Sequence, residues 1–404
     1  MSLAPDFAPD ALQAYDVSPE RGFLPRLDPL RCLPAEFDRW EELGQNLPKL
    51  LVSDRLRGQI EALPMTETGT LRQGPELERA MLLLSYLGHA YVWGGGSGVE
   101  PARCIPAGLA VPWYAVAARL GRPPVLSYAS YALHNWRRLD PSGPVALGNI
   151  CLLQNFGGGV DEEWFILVHV DIEARASTAL AVIAPAQRAA LRADARELER
   201  QFSAMASALD GINRTMARMP ESCDPYVYYH RVRPYIFGWK NQPALPDGLI
   251  YDGVAAYGGR PQQFRGETGA QSSIVPALDA ALGVSHANDP LRAYLMEMRQ
   301  YMPPRHRAFI EAVERGPSVR EFVLAHGGAS PSLREAYNRC VQLVESFRAK
   351  HLEYAAQYIH QQARAVAGNP TDIGTGGTPF MPYLKKHLDE TAAQRLRSVD
   401  SPAA

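Results

Sequence analysis

The placement of proline constrains this chain more than any other sequence feature. The 404 residues include 33 prolines, about 8% of the chain where ~5% is usual. These prolines concentrate in residues 1–48, 101–124, 220–246 and 369–382. Because proline interrupts helix interiors, we expect the prolines to separate helices and the stretches between these segments to form them.

The clearest helical pattern lies in residues 186–219. Its apolar side chains recur mostly three or four positions apart, which predicts one amphipathic helix. They are Leu191, Leu198, Phe202, Met205, Leu209, Ile212 and Met216. A second helix is predicted from about Ser332 to Val366, with a start signal at Pro331-Ser332 and a stop signal at Gly368-Asn369-Pro370.

Other helices are predicted at 38–60, 75–92, 290–314 and 318–325. The segments VLSYASYALHNW and WFILVHVDI alternate briefly, and either fits a strand or a buried helix. The chain is therefore predicted to be mainly α-helical. Gly121-Arg-Pro-Pro124 is the best boundary signal, which predicts a smaller domain over 1–120 and a larger one over 121–404.

Composition excludes several classes of protein. Lysine and arginine total 41 against 43 acidic residues, so no basic surface favours nucleic acid. No apolar run approaches the length of a membrane span, and the amino terminus has no secretory pattern. The five cysteines include no C-x-x-C pair, which argues against zinc and thioredoxin motifs. We expect reduced thiols in a cytoplasmic protein with no nucleic-acid or membrane partner.

Several well-known catalytic motifs are absent from the sequence. It contains no H-E-x-x-H, no G-x-S-x-G and no G-x-x-x-x-G-K-[ST]. The glycine run at 94–98 has no following Lys-Ser or Lys-Thr, so a flexible connection is a better interpretation than a phosphate-binding loop.

Two histidines on apolar segments are the first functional candidates. His351 shares a helix face with Val344, Phe347, Ala355 and Tyr358. A neutral imidazole on such a face can supply an axial ligand to haem iron, although from spacing alone a core histidine is the commoner explanation. His169 shares a face with Phe165 and Ile172 if its segment is helical. The pair fits two sides of one haem, but spacing alone leaves both readings open.

Two further segments suggest a binding site for an amino acid. Arg233 lies among Tyr226, Tyr228, Tyr229, Tyr235 and Trp239. Such an arginine can pair with a carboxylate while the rings pack against the ligand, or it can stack on them for structure alone. The glycine-rich segment from Gly374 to Thr378 can close over a ligand or form a disordered linker.

Ten further segments carry distinctive motifs: AYVWG (Ala90–Gly94), AVPW (Ala110–Trp113), NW-x-x-x-DP (Asn135–Pro141), GWK-x-x-x-x-L-x-DGL-x-Y (Gly238–Tyr251), AQSS (Ala270–Ser273), RQYMPPRHR (Arg299–Arg307), PSVREFVL (Pro317–Leu324), LREAY (Leu333–Tyr337), the helix around His351, and GTGGT. In this order and spacing, across roughly residues 35–390, they resemble the indoleamine 2,3-dioxygenase family.

The resemblance implies an all-α, two-domain protein that holds haem b noncovalently in its larger domain. It identifies His351 as the proximal iron ligand, with Arg348, Asp279 and Thr268 on the cofactor side. Arg233 matches the residue that receives the tryptophan carboxylate. The other positions that match the family's substrate pocket are Tyr128, Tyr131, Ala132, Phe165, Tyr228, Gly269 and Thr375, the last on a closing loop.

The reaction implied by the resemblance opens the indole ring of L-tryptophan or a close indole derivative. Both atoms of O2 enter across the C2–C3 bond to give N-formylkynurenine. Two other functions stay open: a haem protein that binds or senses O2 without turnover, and a haem enzyme that rearranges an indole in secondary metabolism.

Three residues depart from the family pattern. His169 stands where vertebrate members have a small hydroxyl residue, Tyr228 where phenylalanine is usual, and Tyr131 where a cysteine is usual. His169 can hydrogen-bond either bound oxygen or the indole N–H, and it is our candidate catalytic residue with Arg233. Because the pocket is more polar, we expect these departures to affect the substrate more than the cofactor.

Overall fold

The protein is mainly α-helical, as predicted. A computed structural model describes residues 12–94, 99–363 and 373–396. The α-helices within these ranges are α1 (Asp38–Gln45), α2 (Leu47–Leu51), α3 (Leu56–Glu61), α4 (Pro75–Trp93), α5 (Ala107–Leu120), α6 (Val160–Arg175), α7 (Ser177–Ala181), α8 (Ile183–Leu191), α9 (Ala195–Met216), α10 (Pro225–Val227), α11 (Ile274–Leu282), α12 (Pro290–Met298), α13 (Pro304–Arg315), α14 (Val319–His326), α15 (Pro331–Ala355), α16 (Gln361–Ala363) and α17 (Phe380–Ala392).

The strands of the described residues form two minimal sheets. Strand β1 (Cys104–Ile105) pairs in parallel with β4 (Ile250–Tyr251). Strand β2 (Trp136–Arg138) pairs antiparallel with β3 (Ile150–Leu152). These short pairs join loop segments to one another and leave the core to the helices.

The single helix predicted over 186–219 is two helices. Helix α8 ends at Leu191, Ala193 has a positive φ of 56°, and Asp194 then caps α9 by accepting a hydrogen bond from Glu197 N at 3.0 Å. Leu191, expected in the apolar stripe, is 51% exposed because it lies at this break. The other six stripe residues, all on α9, are buried as predicted.

The two ambiguous segments form mainly helical structure. WFILVHVDI lies within α6. VLSYASYALHNW contains a π-helical turn at Ala129–Leu133 and ends at the first residue of β2. The predicted stretch 38–60 is divided into three helices, and 290–314 into two. The glycines at 95–98 and the predicted stop at Gly368-Asn369-Pro370 lie outside the described residues.

Prolines do mark helix starts, but not everywhere. Helices α4, α10, α12, α13 and α15 each begin with proline. The expectation is wrong at Pro112, which lies inside α5 as its sixth residue. A proline there donates no hydrogen bond to the preceding turn. The sequence did not predict α5, because residues 101–124 are rich in proline.

Two apolar cores underlie the fold. One contains α4, α5 and the start of α6, and the other is formed mainly by α8, α9, α11, α13 and α15. Helix α15 packs against both α9 and α17. The first core includes residues on both sides of Gly121, so the division into domains at that residue stays a prediction.

None of the described helices combines the length and the apolar character that a membrane span requires. All five cysteines are free thiols, in agreement with the sequence.

Candidate functional site

A cavity of about 750 Å³ lies beside α15, and most of its walls are apolar. It falls in the size range of pockets that bind cofactors and small ligands. Ten of the residues predicted from the sequence line it: Tyr128, Phe165, His169, Tyr228, Thr268, Gly269, Asp279, Arg348, His351 and Thr375.

The other three predicted residues do not line the cavity. Tyr131 and Ala132 are buried in the π-helical turn at Ala129–Leu133. The Tyr131 ring lies 6.3 Å from the ring of Phe165, which does line the cavity. Arg233 is also fully buried, beside the loop that closes one end of the cavity.

His351 presents its imidazole to the cavity from α15. Neither ring nitrogen has a hydrogen-bond partner among the residues that the structure describes. Burial, with His169 and the charge of Arg348 nearby, lowers the pKa of His351 to about 4. The ring is therefore neutral at physiological pH and keeps a lone pair available for a metal.

A network of charged side chains lies next to His351. Arg348 Nη2 donates to Asp279 Oδ2 at 2.6 Å, and Arg348 Nη1 donates to Thr391 Oγ1. His286 bridges Asp279 at 3.2 Å and Glu390 at 2.6 Å. Although burial opposes it, the charge of Arg348 holds the pKa of Asp279 below its usual range. The network fixes Arg348 one turn before His351.

His169 enters the cavity from α6 with a defined tautomer. Its Nδ1–H donates to the carbonyl oxygen of Phe165, one turn earlier, at 2.7 Å. Burial lowers the pKa of His169, so the ring is neutral. A neutral ring with its proton on Nδ1 leaves Nε2 as a hydrogen-bond acceptor.

Arg233 follows a π-helical turn at Tyr228–Val232. Its guanidinium lies 4.5 Å from the ring centre of Phe237 and 5.4 Å from that of Tyr229. Nη2 donates to the carbonyl oxygen of Ile373 at 2.8 Å. Burial lowers the pKa of Arg233 to about 10, which still leaves it cationic. The π-turn thus places Tyr228 on the cavity wall and a buried cation behind it.

The glycine-rich segment 373–378 is ordered by hydrogen bonds. Gly374 N donates to Thr378 O at 2.8 Å, and Thr375 Oγ1 donates to Glu267 O at 2.5 Å. Arg265 Nη1 donates to Gly376 O at 2.6 Å. Gly377 has a φ of +74°, and a Cβ there would lie 2.4 Å from the carbonyl oxygen of Lys240. Only glycine permits this close packing against the core.

Tyr128 is held by a buried carboxyl that the sequence analysis missed. Its hydroxyl donates to Glu173 Oε1 at 2.9 Å, and Ser272 Oγ donates to the same oxygen at 3.0 Å. Burial raises the pKa of Glu173 to about 7, against the effect of these two hydrogen bonds. Glu173 lies one turn after His169 on α6, which was the available sequence signal.

Glu267, also missed, lies on the cavity wall next to Thr268 and is only 5% exposed. Burial raises the pKa of Glu267 to about 8. No pattern in the sequence marks it, because a single glutamate is usually exposed on the surface.

The described residues contain no group of three or more His, Cys, Asp or Glu side chains arranged to hold a metal ion. A metal bound at His351 would therefore need most of its ligands from a chelating cofactor. A porphyrin supplies such ligands and leaves the axial position to a single histidine.

Comparison with known proteins gives one consistent family. The family model described as Indoleamine 2,3-dioxygenase matches residues 11–394. Indoleamine 2,3-dioxygenase 1 from Rattus norvegicus is 37% identical over 94% of this chain and 94% of its own length. Indoleamine 2,3-dioxygenase 2 from Homo sapiens is 34% identical over 95% of each chain. The Saccharomyces cerevisiae indoleamine 2,3-dioxygenase is 32% identical over 95% of this chain and 93% of its own.

Proposed function

Because this chain belongs to the indoleamine 2,3-dioxygenase family and is thus an oxidoreductase, we propose that it inserts both atoms of O2 across an indole C2–C3 bond. The proposed substrate is L-tryptophan or a close indole derivative, the product N-formylkynurenine or its counterpart, and the cofactor haem b. The observation that carries the proposal is the neutral His351 imidazole, without a hydrogen-bond partner among the described residues, in a 750 Å³ apolar cavity.

The residues present fit haem. His351 would be the axial ligand, and the buried pair of Arg348 and Asp279 would hold α11 against the helix that carries it. Arg292 also lines the cavity and offers positive charge for propionates, whereas the charge of Arg299 is paired with Glu314. When bound, haem supplies the activation of O2 that side chains alone do not provide.

His169 Nε2 would bind the indole N–H. Since its Nδ1 proton is already donated to Phe165 O, the neutral ring can accept a hydrogen bond at Nε2 but cannot donate one there. Of the two roles that the sequence left open for His169, a partner of bound oxygen or of the indole nitrogen, this tautomer favours the second. This hydrogen bond would also fix the direction of the indole ring within the pocket, so that His169 contributes by orienting the substrate.

Arg233 would bind the carboxylate of the amino acid. Its charge is buried among aromatic rings behind the cavity wall and joined to the loop through Ile373 O, so a carboxylate would reach the cation once the loop exchanges this contact for the ligand. Thr375, two residues after Ile373 on the same loop, lines the cavity, and its hydroxyl is held by Glu267 O. Charge pairing at one end and the His169 contact at the other would fix both ends of the substrate.

The aromatic side chains would complete this orientation. Phe165 lies 4.6 Å from Tyr228 and 4.7 Å from His169 between ring centres, so the three rings form one continuous surface. A planar indole against such a surface loses rotational freedom before it reacts. The same surface excludes water from the reacting carbons.

The experiment is single turnover by protein reconstituted with haem, reduced without oxygen, and mixed with L-tryptophan and ¹⁸O2. We expect formylkynurenine absorbance and a product mass that contains two labelled oxygens. Absence of turnover on every indole amino acid, together with an O2-binding spectrum indifferent to tryptophan, would contradict the proposal in favour of oxygen sensing. A product without labelled oxygen would favour rearrangement.

A further inference from the structure

Glu267 is a buried acid that the reaction as described does not use, and backbone hydrogen bonds fix it at the Arg233 end of the cavity. Its N–H donates to Ile236 O at 3.0 Å, and Ile236 ends the 3-10 helix that begins at Arg233. Its carbonyl oxygen accepts from Thr375 Oγ1 at 2.5 Å. Arg233 Nη2 donates to Ile373 O, two residues earlier on the same loop. The same two segments of the chain therefore hold both Glu267 and Arg233.

The segments that carry Arg233 and Glu267 also pack directly on each other. A Cβ at Gly238 would lie 2.1 Å from the backbone nitrogen of Gly266, the residue before Glu267. No side chain therefore separates the two backbones at this point. The position of Glu267 relative to Arg233 is set by contacts between main chains, which leave the backbone of the acid little freedom to move.

The Glu267 carboxyl has no partner among the residues that the structure describes. It makes no hydrogen bond and no ion pair there. The residue is 5% exposed, yet its oxygens are not among the side-chain atoms that are fully enclosed without a partner, so they contact open space. That space is the cavity, which Glu267 lines. The cavity therefore contains a hydrogen-bond acceptor that a ligand can reach.

Glu267 differs in this respect from other buried carboxyls of the described chain. Glu162 accepts from two backbone N–H groups, at 2.7 Å and 3.1 Å. Glu173 accepts from two side-chain hydroxyls, at 2.9 Å and 3.0 Å. A buried polar group without a partner costs stability, and each such group requires an explanation. A ligand that donates to Glu267 supplies one.

Glu267 is also the one acid on the described cavity wall whose charge is not already paired. Asp279 forms an ion pair with Arg348 of α15 at 2.6 Å. Glu314 is exposed and forms an ion pair with Arg299. A cation that enters the cavity therefore finds its counter-charge at Glu267.

We infer that Glu267 binds the α-ammonium group of the substrate, so that Arg233 and Glu267 together recognise the zwitterion of an amino acid. The inference rests on the proposed function and narrows its substrate class to indoles that carry a free α-amino acid group. Carboxylate and ammonium are bonded to the same carbon, so a carboxylate directed to Arg233 brings the ammonium to the end of the cavity where Glu267 lies. An ammonium without a partner in an apolar cavity would be strongly unfavourable, and the acid removes that penalty.

The other donor of the substrate has a different receptor. The indole N–H has an acceptor in His169 Nε2, on α6. Because the indole nitrogen and the carboxylate lie at opposite ends of tryptophan, Glu267 and His169 would not compete for one donor. Each polar group of the substrate then has its own receptor in the cavity.

The test compares three ligands that differ in their charged groups. L-tryptophan carries both groups, indole-3-propionate lacks the ammonium, and tryptamine lacks the carboxylate. Dissociation constants come from the Soret shift of the ferric haem-loaded protein. The variants are E267L, which removes the acceptor, and E267Q, which keeps an acceptor oxygen without the charge. E162Q, a change of a buried carboxyl outside the cavity, is the matched control.

We expect the wild type to bind L-tryptophan about 10- to 100-fold more tightly than indole-3-propionate, as a hydrogen bond between charged groups would give. E267L should abolish this preference, E267Q should retain part of it, and E162Q should retain all of it. Indole-3-propionate should bind E267L no more weakly than the wild type, which would show that the pocket is intact. If E267L keeps the preference, the ammonium has another acceptor, such as a haem propionate, and the inference is overturned.

Tryptamine separates the two charged receptors. It should lose affinity in E267L but not in R233A, whereas indole-3-propionate should lose affinity in R233A but not in E267L. If E267L weakens all three ligands equally, Glu267 shapes the pocket without binding the ammonium, and the inference is overturned.

Further outcomes distinguish failure of this inference from failure of the proposed function. If the wild type binds and converts L-tryptophan while E267L changes the affinity of no ligand, the inference alone fails. If none of the three ligands shifts the wild-type spectrum and no indole amino acid is converted, the proposed function fails, and the inference fails with it.

Discussion

The two sides of the cavity treat polar groups in opposite ways. The α15 side, formed by Asp279, Arg348 and His351 with His286 behind them, carries charges that are paired. The aromatic side is formed by Tyr128, Phe165, His169, Tyr228 and Glu267. It includes an acid that has no partner among the described residues and a histidine with an open acceptor nitrogen. Buried polar groups are therefore paired on the α15 side, whereas the aromatic side leaves some of them available to a ligand.

The difference between paired and unpaired polar groups matches the difference between a ligand that stays bound and a ligand that exchanges. Paired charges keep a wall rigid whether or not anything is bound, which suits a resident cofactor. Unsatisfied acceptors are costly until a ligand arrives, which suits a substrate that must be recognised and released. His351 is the exception on the α15 side, because its missing partner would be the resident cofactor itself.

Replacing His351 with alanine should have the largest effect. Loss of groups that only support a metal ligand weakens metal binding by 10–100-fold, so loss of the ligand itself should exceed about 100-fold. H351A should therefore lose haem or its histidine-ligated Soret spectrum. The control is H326A, since His326 is exposed on α14. A normal spectrum in H351A would place the ligand elsewhere.

Breaking the pair on the α15 side should come next. The side chains of Asp279 and Arg348 are only 12% and 7% exposed. D279N leaves a buried arginine charge without its carboxylate and should lower the free energy of unfolding by about 3–5 kcal/mol. D389N, in an exposed pair with Lys385, should cost less than about 1 kcal/mol. Urea unfolding followed by circular dichroism measures both, and equal effects would mean that the pair on the α15 side stabilises the protein no more than an exposed pair does.

Alanine at Arg233 tests the cation behind the aromatic side. R233A should chiefly raise KM for amino-acid substrates. The loss of binding free energy should be about 2–5 kcal/mol if the pair of arginine and carboxylate is desolvated. R231A, an exposed neighbour on the same turn, should leave KM unchanged. Steady-state kinetics with tryptophan decide the matter. An unchanged KM in R233A would remove Arg233 from the substrate site.

The sequence predicted the α15 side of the cavity better than the aromatic side. The helical face of His351 could be read because α15 is long and amphipathic, and the family resemblance then supplied Arg348 and Asp279. Glu267 could not be found, since its significance depends on burial between the loops that hold Ile236 and Thr375. Only tertiary structure brings those segments together.

Local signals explain the errors in the helices. Asp194 followed three residues later by Glu197 is a capping signal that divides 186–219, but the apolar periodicity continues across it. The helix α5 was missed because Pro112 opposes it locally, and burial of the residues around it overrides that preference. Each π-helical turn is likewise set by packing, since no sequence pattern specifies the extra residue.

The smallest expected effect is a change in the pH dependence of stability. The pKa of Glu267 is about 8 in the folded protein and 4.5 in its ordinary state, so unfolding favours its ionised form. Because the pKa is higher in the folded protein, the protonated acid costs no stability below the pKa of the unfolded chain. The free energy of unfolding then falls as the pH rises towards the pKa of the folded protein. Between about pH 6 and pH 8 this loss should reach about 2 kcal/mol for a single buried acid.

E267Q cannot ionise and should escape that loss, while Glu162 and Glu173 affect wild type and variant alike. The difference in free energy of unfolding between the two proteins should therefore grow in favour of E267Q as pH rises from about 6 to about 8. Urea unfolding at several pH values measures it. Parallel curves would mean that the acid titrates equally in the folded and unfolded chains, so that the aromatic side carries no stored cost for a substrate to relieve.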